Sequence, residues 1–533
     1  MARSHGPLAS LMAAPSRRAE RFTLRLLTVA DAAFNRLYSW KYNPLYQTGT
    51  IAVALLLVLL VTGLWLIFFY RVGTPYESVA RITADPWLGN WIRALHRYAS
   101  DAALVAVAVH AVRMFAQGRS WGPRSRAWMS GVVLLLLVLV SGWTGFVLVW
   151  DSFGEVLALE GARMLDALPI LSEPMSRAFT GERPLPNVFF FINLFAHVGV
   201  PLSMFAVLLL HTSKLARVKL LPPRRMMWTL IGALVALSVV RPLAMAPEAN
   251  PLRTPASVPA DWFYAFWLPL SRSLDGGTAL LGAVLTFFVV LLIPVFIKRR
   301  GEEAPPKSVV DEAICVGCRQ CALDCPYEAI TMFARSDGRS EEVARVDPAL
   351  CVSCGICAGS CAPMGVGPPG RTGRDQLSRA RAFIARPERK PGELVVICCD
   401  RGAPNLERDA DARGVVLYPI DCAGSVHTSV IELLVRSGSA GVLTLACPPR
   451  DCWNREGPRW LNERVYHERE ADLKARVDRQ RVRIAFANAS EPANAWAAIS
   501  AFQEQLRLAG ELVEEPVVAI DLECDPVPIG DET

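Results

Sequence analysis

The chain has 533 residues, of which 52% are hydrophobic, and a formal net charge of +6. Its length is too great for one domain, and its mean hydropathy of +0.29 is too high for an ordinary soluble enzyme. The net charge is too small to indicate nucleic-acid binding. Because the apolar excess lies before Arg300, the composition predicts a membrane half followed by a soluble half.

Six apolar runs in the first half are predicted to be transmembrane helices. They cover residues 42–70, 94–117, 127–150, 184–213, 226–245 and 276–297. Four of them lack charged residues and are long enough to cross a bilayer, which takes about 20 residues. The runs 94–117 and 226–245 contain charged residues. Both are counted as helices because an even number of spans returns the chain to the side on which it started.

Basic residues indicate the orientation of these helices. Arginine and lysine cluster before the first run and after the second, fourth and sixth runs, whereas the loop after the third run is rich in acidic residues. By the positive-inside rule both termini are cytoplasmic. The first 20 residues are basic and lack an apolar core, so no cleavable signal peptide is expected. The expected location is a bacterial inner membrane, crossed several times, with the soluble half in the cytoplasm.

Four of the seven histidines lie in the second and fourth runs, as the pairs His96 with His110 and His197 with His211. The members of each pair are 14 residues apart, which is nearly four helical turns and roughly 21 Å. The two runs cross in the same direction, so His96 is level with His197 and His110 with His211. This pattern predicts two stacked bis-histidine metal sites. The alternative is that the histidines are polar residues satisfied by neighbouring helices.

Glycines repeat the same interval in the first and third runs. Gly49 and Gly63, like Gly131 and Gly145, are 14 residues apart. Glycine allows a flat macrocycle or another helix to approach closely. In register with the histidines, these glycines suggest the edges of heme groups. The first half contains no cysteine, so a heme there would not be bound covalently.

Residues 37–300 resemble cytochrome b of the quinol-oxidising bc complexes. The resemblance lies in residues 91–97 (WIRALHR) and 144–151 (TGFVLVWD), although Val149 stands where the family usually has proline. It implies two b hemes held by the four histidines, with Arg93 and Arg113 near the heme propionates. The alternative for the two arginines is interfacial anchoring. The last two helices of the family are missing.

The loop before the sixth run resembles the Pro-Glu-Trp-Tyr loop that lines the outer quinol-oxidation site of that family. Residues 259–264 read PADWFY, so Asp261 occupies the glutamate position and Ala260 separates it from Pro259. The resemblance implies a catalytic site with Asp261 and Tyr264, in which Asp261 accepts a proton from the quinol. The alternative is an aromatic loop at the membrane interface.

The second half begins with two cysteine motifs of spacing C-x2-C-x2-C-x3-C. In two-cluster ferredoxins the fourth cysteine of each motif binds the cluster of the other motif. The motifs therefore predict two [4Fe-4S] clusters, with zinc binding as the alternative. One cluster would be held by Cys315, Cys318, Cys321 and Cys361, and the other by Cys351, Cys354, Cys357 and Cys325.

The last part of the chain predicts an α/β unit, with strands at 394–397 and 442–445 and a helix at 428–437. Residues 446–452 (ACPPRDC) and 421–424 (DCAG) resemble segments of the delta subunit of methyl-viologen-reducing hydrogenase. That resemblance implies a [2Fe-2S] cluster, although Gly402 stands where the family has a further cysteine. The alternative is a degenerate domain with free thiols, and Cys524 is given no role. The implied cluster ligands are Cys399, Cys422, Cys447 and Cys452.

The predicted chain is therefore multidomain. A cytoplasmic segment (1–41) precedes an all-α, six-span heme bundle (42–300). A linker (301–308) leads to an α+β 2[4Fe-4S] ferredoxin domain (309–370), which is followed by an α/β iron–sulfur domain (390–533).

The resemblances imply an oxidoreductase subunit that moves electrons between quinone and a cytoplasmic redox protein. The partner would be a flavoprotein, a hydrogenase or a dehydrogenase. A working outer quinol site would add an acceptor on the outer face and electron bifurcation, and family members are dimers. The alternative function is a membrane anchor and docking scaffold with structural hemes and no quinone turnover.

Overall fold

The computed structural model of the chain describes residues 7–120, 124–169, 173–179, 185–213, 219–253, 255, 257–296, 305–400, 406–454, 456–489 and 491–510. It divides into two compact units. One, here the helical unit, comprises Met1–Leu27 and Gln47–Arg299, and the other, the cysteine-containing unit, comprises Thr28–Tyr46 and Arg300–Thr533.

The first part of the chain consists of helices and the loops that join them. Its helices are α1 (Pro7–Tyr38), α2 (Thr48–Phe69), α3 (Pro75–Ala84), α4 (Gly89–Ala116), α5 (Ser125–Val149), α6 (Ser152–Leu165), α7 (Asn187–Ser213), α8 (Arg224–Val240), α9 (Leu268–Ser273), α10 (Gly276–Leu291) and α11 (Ile293–Phe296). Within the described residues, α2, α4, α5 and α7 are long and apolar enough to cross a membrane, and α10 is a shorter apolar helix. Four of the six predicted spans thus have the required length and composition, and the other two stay predictions.

Local sequence explains where these helices begin and end. The first apolar run starts at residue 42, but α2 begins only at Thr48, because residues 40–46 form two short 3-10 turns. Helix α5 stops at Trp150, whose φ of 54° is left-handed. Asp151 then starts α6 by accepting the backbone N–H of Gly154 at 2.9 Å.

Small side chains let the helices of this unit pack closely. Ala52 of α2 and Ala99 and Ala103 of α4 are buried together, with Leu230 and Leu234 of α8 packed against them. Helices α5 and α7 form the other close pair. Such small residues bring helix backbones near to each other, which strengthens dispersion contacts between them. The result is two helix pairs, each joining a glycine-bearing helix to a histidine-bearing one.

The cysteine-containing unit opens with the two cysteine motifs. Strand β1 (Val309–Val310) pairs with β4 (Val366–Gly367), and β2 (Ile330–Phe333) pairs with β3 (Val343–Val346), both antiparallel. The short helices α12 (Gln320–Leu323) and α13 (Ile356–Gly359) each begin two residues after the second cysteine of their motif. The two motifs are 36 residues apart, and left-handed φ values recur at the same interval. The pairs are Gly317 with Ser353, Arg319 with Gly355, and Glu328 with Met364. The two motifs are therefore an internal structural repeat.

A doubly wound α/β region completes the unit. Four parallel strands, β5 (Leu394–Cys399), β6 (Val415–Ile420), β7 (Gly441–Ala446) and β8 (Val482–Phe486), lie in the order β6-β5-β7-β8. The helices are α14 (Gly373–Ile384), α15 (Glu407–Ala410), α16 (Thr428–Arg436), α17 (Gly457–Tyr466) and α18 (Pro492–Leu508). Each sheet face has its own apolar core, as expected for parallel strands that are buried on both sides. The predicted strands and helix correspond to β5, β7 and α16.

The segment directly before α2 packs within this unit. The Trp40 ring lies 5.8 Å from that of Phe486, at the end of β8. The Tyr46 hydroxyl accepts hydrogen bonds from the amides of Asn35, at 2.9 Å, and Asn488, at 2.8 Å. The structure therefore groups residues 28–46 with the last domain, whereas the predicted boundary between the N-terminal segment and the helical bundle lies at residues 41 and 42.

Candidate functional site

The first histidine pair joins α4 to α7. The rings of His96 and His197 have centroids 6.3 Å apart and are inclined by 61°. Two imidazoles bound to opposite sides of one metal through bonds of about 2 Å have ring centres about 6 Å apart. The two side chains thus fit the axial positions of one metal centre. His110 and His211 lie nearly four turns further along the same two helices.

Each predicted glycine lies against one histidine ring. Gly49 and Gly63 of α2 face α4, and Gly131 and Gly145 of α5 face α7. An added Cβ atom at Gly49 would lie 3.1 Å from Cε1 of His110, and one at Gly63 would lie 3.2 Å from Cε1 of His96. At Gly131 it would lie 3.2 Å from Cε1 of His211, and at Gly145 it would lie 3.0 Å from Cε1 of His197. A side chain at any of these positions would therefore displace an imidazole.

A hydroxyl group precedes each of these glycines, and the sequence reasoning missed it. All four hydroxyls lie next to the Nδ1 atom of the histidine that the glycine contacts. The distances are 3.3 Å for Thr48 and His110, 2.8 Å for Thr62 and His96, 2.9 Å for Ser130 and His211, and 3.1 Å for Thr144 and His197. A partner at Nδ1 orients the ring and leaves Nε2 for a metal. The repeated Ser/Thr-Gly dipeptide was the available signal.

The two predicted arginines lie on α4, near its two ends. Nη1 of Arg93 donates to the carbonyl of Leu243, in the segment after α8, at 3.1 Å. The side chain of Arg113 is buried, at 2% exposure. The structure thus fixes Arg93 to a loop and keeps Arg113 inside the helical unit. Their predicted role beside heme propionates stays a prediction.

In the loop before α9, both carboxylate oxygens of Asp261 are engaged. Its Oδ1 accepts hydrogen bonds from the backbone N–H groups of Phe263, Tyr264 and Ala265, at 3.0, 2.6 and 3.2 Å. Its Oδ2 accepts a hydrogen bond from Nη2 of Arg97 at 2.5 Å, which is also an ion pair. The other end of the guanidinium, Nη1, binds Asp101 at 2.6 Å. One arginine therefore bridges two carboxylates, and the sequence reasoning had not brought Arg97 or Asp101 to this loop.

Tyr264 anchors the same loop against α4 and α5. Its hydroxyl donates to the carbonyl of Ser100 at 3.0 Å, and its side chain is 2% exposed. The ring fills a notch at Gly142, where an added Cβ would lie 2.0 Å from a ring carbon. Gly142 thus makes room for Tyr264, a role that the sequence alone did not reveal.

Two cavities in the ferredoxin-like region are lined by cysteines from both motifs. Cys325 of the first motif lies with three cysteines of the second, and Cys361 of the second with three of the first. One cavity is lined by Cys315, Cys318, Cys321 and Cys361, and the other by Cys325, Cys351, Cys354 and Cys357. The structure brings together the two ligand sets proposed from the spacing.

Two backbone N–H groups donate hydrogen bonds to cysteine sulfur atoms of these two sets. The N–H of Ala329 donates to Sγ of Cys325 at 3.3 Å, and that of Gly365 to Sγ of Cys361 at 3.2 Å. These two donors occupy equivalent positions in the repeat. Hydrogen bonds of this kind stabilise negatively charged sulfur and raise the reduction potential of a bound cluster.

The described end of the linker lies against the second motif. Ser353 donates to the carbonyls of Pro305 and Pro306 at 3.0 and 2.8 Å, and Nζ of Lys307 donates to the carbonyl of Cys351 at 2.7 Å. Residues 301–304 of the predicted linker lie outside the described residues. The two prolines are thus fixed to the motif that starts at Cys351.

A third cysteine group lies at the carboxyl ends of three neighbouring strands. Cys399 ends β5, Cys422 follows β6, and Cys447 and Cys452 follow β7. Because the strands are parallel, their carboxyl ends meet at one edge of the sheet. All four side chains are buried.

The thiols of the third group crowd together. Contact with the thiols of Cys399 and Cys452, together with burial, raises the pKa of Cys447 well above its ordinary value. Four buried sulfur atoms this close together cannot all be thiolates at low cost in free energy unless a cation neutralises them. They fit a metal cluster, which would neutralise them.

Among the described residues, Cys398 does not join this group. Cys398 precedes Cys399 on β5, and alternation along the strand places its side chain against the opposite core. Gly402 and Cys524 lie outside the described residues. The predicted set Cys399, Cys422, Cys447 and Cys452 is therefore the one that the strand ends bring together.

Three family models match the chain. Residues 34–219 match cytochrome b/b6/petB, residues 314–365 match the 4Fe-4S dicluster domain, and residues 404–510 match the delta subunit of methyl-viologen-reducing hydrogenase. The regions occur in the predicted order, so the predicted fusion is confirmed. A solved structure titled "Hyperthermophilic respiratory Complex III" is similar over 47% of this chain and 75% of that chain, at 18% identity and a TM-score of 0.36. The first two matches imply heme b and [4Fe-4S] clusters, and the first, with the four apolar helices, indicates a membrane protein.

Proposed function

Because the chain joins a cytochrome b region to a ferredoxin region in one membrane electron-transfer protein, we propose that it carries electrons between quinone and a cytoplasmic redox protein. The observation that carries this proposal is the pairing of His96 with His197 at a ring separation of 6.3 Å. The proposed cofactors are two b hemes, two [4Fe-4S] clusters and one [2Fe-2S] cluster, which supply one-electron transfer. Quinone is the proposed substrate.

Contacts inside the cysteine-containing unit support six spans. The segment Thr28–Tyr46, before α2, and the chain after α11 belong to this one compact unit. A compact unit outside the bilayer lies on one side of it, so the chain between these parts crosses an even number of times. Four long helices and α10 would make five, which supports α8 as the sixth span. With basic residues inside, both termini and the cysteines are cytoplasmic, at a bacterial inner membrane.

The helical unit would hold each heme between one histidine of α4 and one of α7. The glycines of α2 and α5 leave space at the imidazoles, and the hydroxyls beside Nδ1 orient them. His96 with His197 and His110 with His211 thus form two sites at two depths. Arg93 and Arg113 are proposed to lie near the propionates, where a guanidinium pairs well with a carboxylate.

In the cysteine-containing unit, the third cysteine group adjoins the second [4Fe-4S] site. The thiols of Cys354 and Cys422 are close enough to interact electrostatically. An added Cβ at Gly355 would lie 3.1 Å from Cβ of Ser425. These contacts support electron transfer between the site of Cys399, Cys422, Cys447 and Cys452 and the site that includes Cys354.

The bridged carboxylates support proton uptake at an outer quinol site. Asp101 and Asp261 share the single guanidinium of Arg97, so the cluster has a net charge of −1 when both are ionised. Such a cluster, partly withdrawn from water, is stabilised by accepting one proton. Because Asp261 occupies the glutamate position of the loop that resembles the family's quinol site, we propose it as the acceptor of the quinol proton, a role that requires it to release Arg97. An acceptor on the outer face and bifurcation of the two quinol electrons follow if this site works.

The match of the last region supports a proposal for the class of soluble partner. Its family model is named for a subunit of a methyl-viologen-reducing hydrogenase. The proposed partner is accordingly a hydrogenase, a flavoprotein or a dehydrogenase that exchanges electrons with the third cysteine group. A homodimer is proposed from the resemblance to cytochrome b.

The rival function is an anchor and docking scaffold with structural hemes. A scaffold requires no acid in the outer loop. Asp261, held between three backbone N–H groups and Arg97, is the feature that separates the two functions.

The test replaces Asp261 by asparagine. Asp261→Asn keeps the size of the side chain but cannot accept the proton, so hemes and clusters should assemble normally. Quinol could also reach the proposed heme of His110 and His211 from the cytoplasmic side, and the assay blocks this inner site. Reduction of the hemes by added quinol should then slow by at least about tenfold, which lies within the usual range for general-base catalysis. The measurement is stopped-flow absorbance of the heme bands in the purified membrane protein.

Two further variants sharpen this test. Glu77→Gln removes an exposed acid of α3 and should leave the rate unchanged. Asp101→Asn removes the other carboxylate on Arg97. A slower rate for Asp101→Asn with an unchanged rate for Asp261→Asn would move the proton acceptor to Asp101. Unchanged rates for both would leave the scaffold function, or transfer through an inner quinone site.

A further inference from the structure

A fully buried arginine of the last region enters the ferredoxin-like region. Arg464, on α17, has 0% side-chain exposure. Its Nη1 donates to Oγ of Ser360 at 2.8 Å, and its Nη2 donates to the carbonyl of Gly424 at 2.6 Å. A buried guanidinium is costly unless it is paired and hydrogen-bonded. Its presence here needs an explanation beyond packing.

The guanidinium lies where the two cysteine motifs face each other. Ser360 and Asp324 occupy equivalent positions, 36 residues apart, as do the motifs. They hydrogen-bond to each other at 2.6 Å, and Oδ2 of Asp324 lies 3.9 Å from Nη1 of Arg464. Asp324 also has 0% exposure. Arg464 thus reaches the contact between the two halves of the repeat.

Three residues that Arg464 contacts, namely Asp324, Ser360 and Gly424, lie next to or near cysteines of the three groups. Asp324 directly precedes Cys325, and Ser360 directly precedes Cys361. Gly424 follows Cys422 by two residues. The guanidinium of Arg464 therefore lies beside a proposed ligand of both [4Fe-4S] clusters and of the third cluster. Arg469, whose side chain is 15% exposed, also pairs with Asp324, at 2.6 Å between Nη2 and Oδ1.

The chain makes room for this side chain. A Cβ at Gly359 would lie 2.7 Å from Nη2 of Arg464 and 2.9 Å from the carbonyl of Val426. The equivalent residue of the first motif is Leu323, which is 56% exposed. The repeat thus departs from its symmetry at the residue where Arg464 enters.

We propose that Arg464 is a fixed cation that stabilises the reduced clusters around it, and that Arg464 and Asp324 together set the reduction equilibria of these clusters. The proposal rests on the clusters of the proposed function but not on quinone turnover. It makes Arg464 a positioning and tuning residue, because it touches the segments that carry the ligands and not the reacting atoms.

Elementary electrostatics gives the sign of the effect. Adding one electron makes a cluster more negative by one charge, so a nearby cation favours the reduced form and a nearby anion opposes it. Full burial reduces screening by water, which makes the interaction stronger than at the surface. Burial also lowers the pKa of Arg464 to about 10, so the side chain is still protonated at neutral pH.

Substitution of the two charges should therefore shift the clusters in opposite directions. At the potential where a cluster of the parent is half reduced, Arg464→Gln should lower its ratio of reduced to oxidised form about tenfold, or about 59 mV for one electron. Asp324→Asn should raise that ratio by a similar factor. Arg464→Lys keeps the charge and should stay close to the parent.

The measurement is an EPR-monitored titration with chemical mediators on the purified full-length protein, without quinone. Arg476→Gln is the matched control, because Arg476 pairs with Glu432 at 2.6 Å but is 64% exposed. Iron content is measured for each variant. Since quinone is absent, a failure of quinone turnover does not affect this titration. A failure of the Arg464 proposal likewise leaves the quinol assay on Asp261 unaffected.

A purely structural role for Arg464 would give a different pattern. Arg464→Gln and Asp324→Asn would then shift the ratio in the same direction, or leave it unchanged while iron content is retained. Either result overturns the proposal, as does a shift in Arg464→Lys as large as that in Arg464→Gln. If Arg464→Gln loses its iron, Asp324→Asn decides alone: a raised ratio supports the proposal, and an unchanged or lowered ratio contradicts it.

Discussion

At the residue scale, each of the four histidines on α4 and α7 contacts two consecutive small residues of a neighbouring helix. The hydroxyl lies at Nδ1, and the glycine that follows leaves space at Cε1. One residue thus orients the imidazole and the next allows it to fit. Partners of this kind typically change metal affinity or activity by 10- to 100-fold when they are removed.

This arrangement predicts the effect of removing one hydroxyl. Thr62→Val keeps the shape of the side chain but removes the bond to Nδ1 of His96, which is 2.8 Å long. The heme at His96 and His197 should be retained about tenfold less well in a competition with apomyoglobin, because the ring loses one of the partners that orient it. The heme at His110 and His211 should be retained as in the parent.

A control for this variant is available in α10. The hydroxyl of Thr286 bonds only within its own helix, to the carbonyl of Gly282 at 2.8 Å among the described contacts. Thr286→Val should therefore retain both hemes. Equal loss of both hemes from Thr62→Val, or equal loss from the two variants, would show that the hydroxyl does not act through His96.

At the element scale, the loop before α9 is positioned by its contact with α5. The ring of Tyr264 packs at Gly142 and closes the space between α4 and α5. The same loop carries Asp261. The fit of one ring at one glycine therefore determines where the carboxylate lies relative to Arg97.

Enlarging Gly142 should disturb this loop and spare the hemes. An added Cβ at 2.0 Å from the Tyr264 ring forces that ring to move, and a misplacement of about 1 Å can cost about 100-fold in rate. Gly142→Ala should therefore slow outer-site quinol oxidation by at least about tenfold. The rate is measured by stopped-flow reduction of the hemes, and heme content by absorbance.

Gly199→Ala is the control for this variant. It lies in α7, and an added Cβ there would meet nothing within 4 Å among the described residues. Its rate should match that of the parent. A normal rate for Gly142→Ala would mean that the position of Tyr264 does not matter for quinol oxidation.

At the scale of the whole molecule, the three cysteine groups share one compact unit with the segment that precedes the first membrane helix. Buried hydrogen bonds, such as that of His427 to the carbonyl of Cys361 at 3.1 Å, join the ferredoxin-like region to the α/β region. The full-length chain is therefore the appropriate sample for counting metal atoms.

The third cysteine group can be tested by one substitution in that chain. Cys452→Ser should remove the [2Fe-2S] signal in EPR and lower the iron content from ten to about eight atoms, as expected for two remaining [4Fe-4S] clusters. The signals of those two clusters should persist. The α/β region should stay folded, because serine is close to cysteine in size.

Cys398→Ser is the matched control, because its side chain lies on the opposite face of β5 and packs in the other core. It should keep all ten irons. A parent with eight irons and no [2Fe-2S] signal would make the last region a docking module, and the four-cysteine assignment would be wrong.

Much of the architecture was predictable from the sequence, because its signals are local and periodic. Apolar length marked the spans, and the interval of 14 residues placed each histidine pair on one face of a helix. Cysteine spacing identified the ferredoxin region, and the resemblance to the hydrogenase delta subunit indicated the third cysteine group. Family models match the three regions in the predicted order.

Other features depended on pairs of residues far apart in the chain. Nothing near Asp261 indicates that Arg97, 164 positions away, would bind it. Nothing near Cys325 or Cys361 indicates that Arg464 would enter between their motifs. Such contacts depend on helix packing and strand order, which spacing along the sequence does not encode.

By itself, the sequence indicated the candidate metal-binding residues, their spacing and the division into an apolar helical half and a cysteine-containing half, since these follow from short-range patterns and apolar length. Only the tertiary structure decided which charges are paired, which glycines admit a ring and where residues 28–46 belong. The physical reason is that burial and charge pairing arise when distant segments exclude water from one another. Their partners are therefore set by the packed fold and not by the local chain.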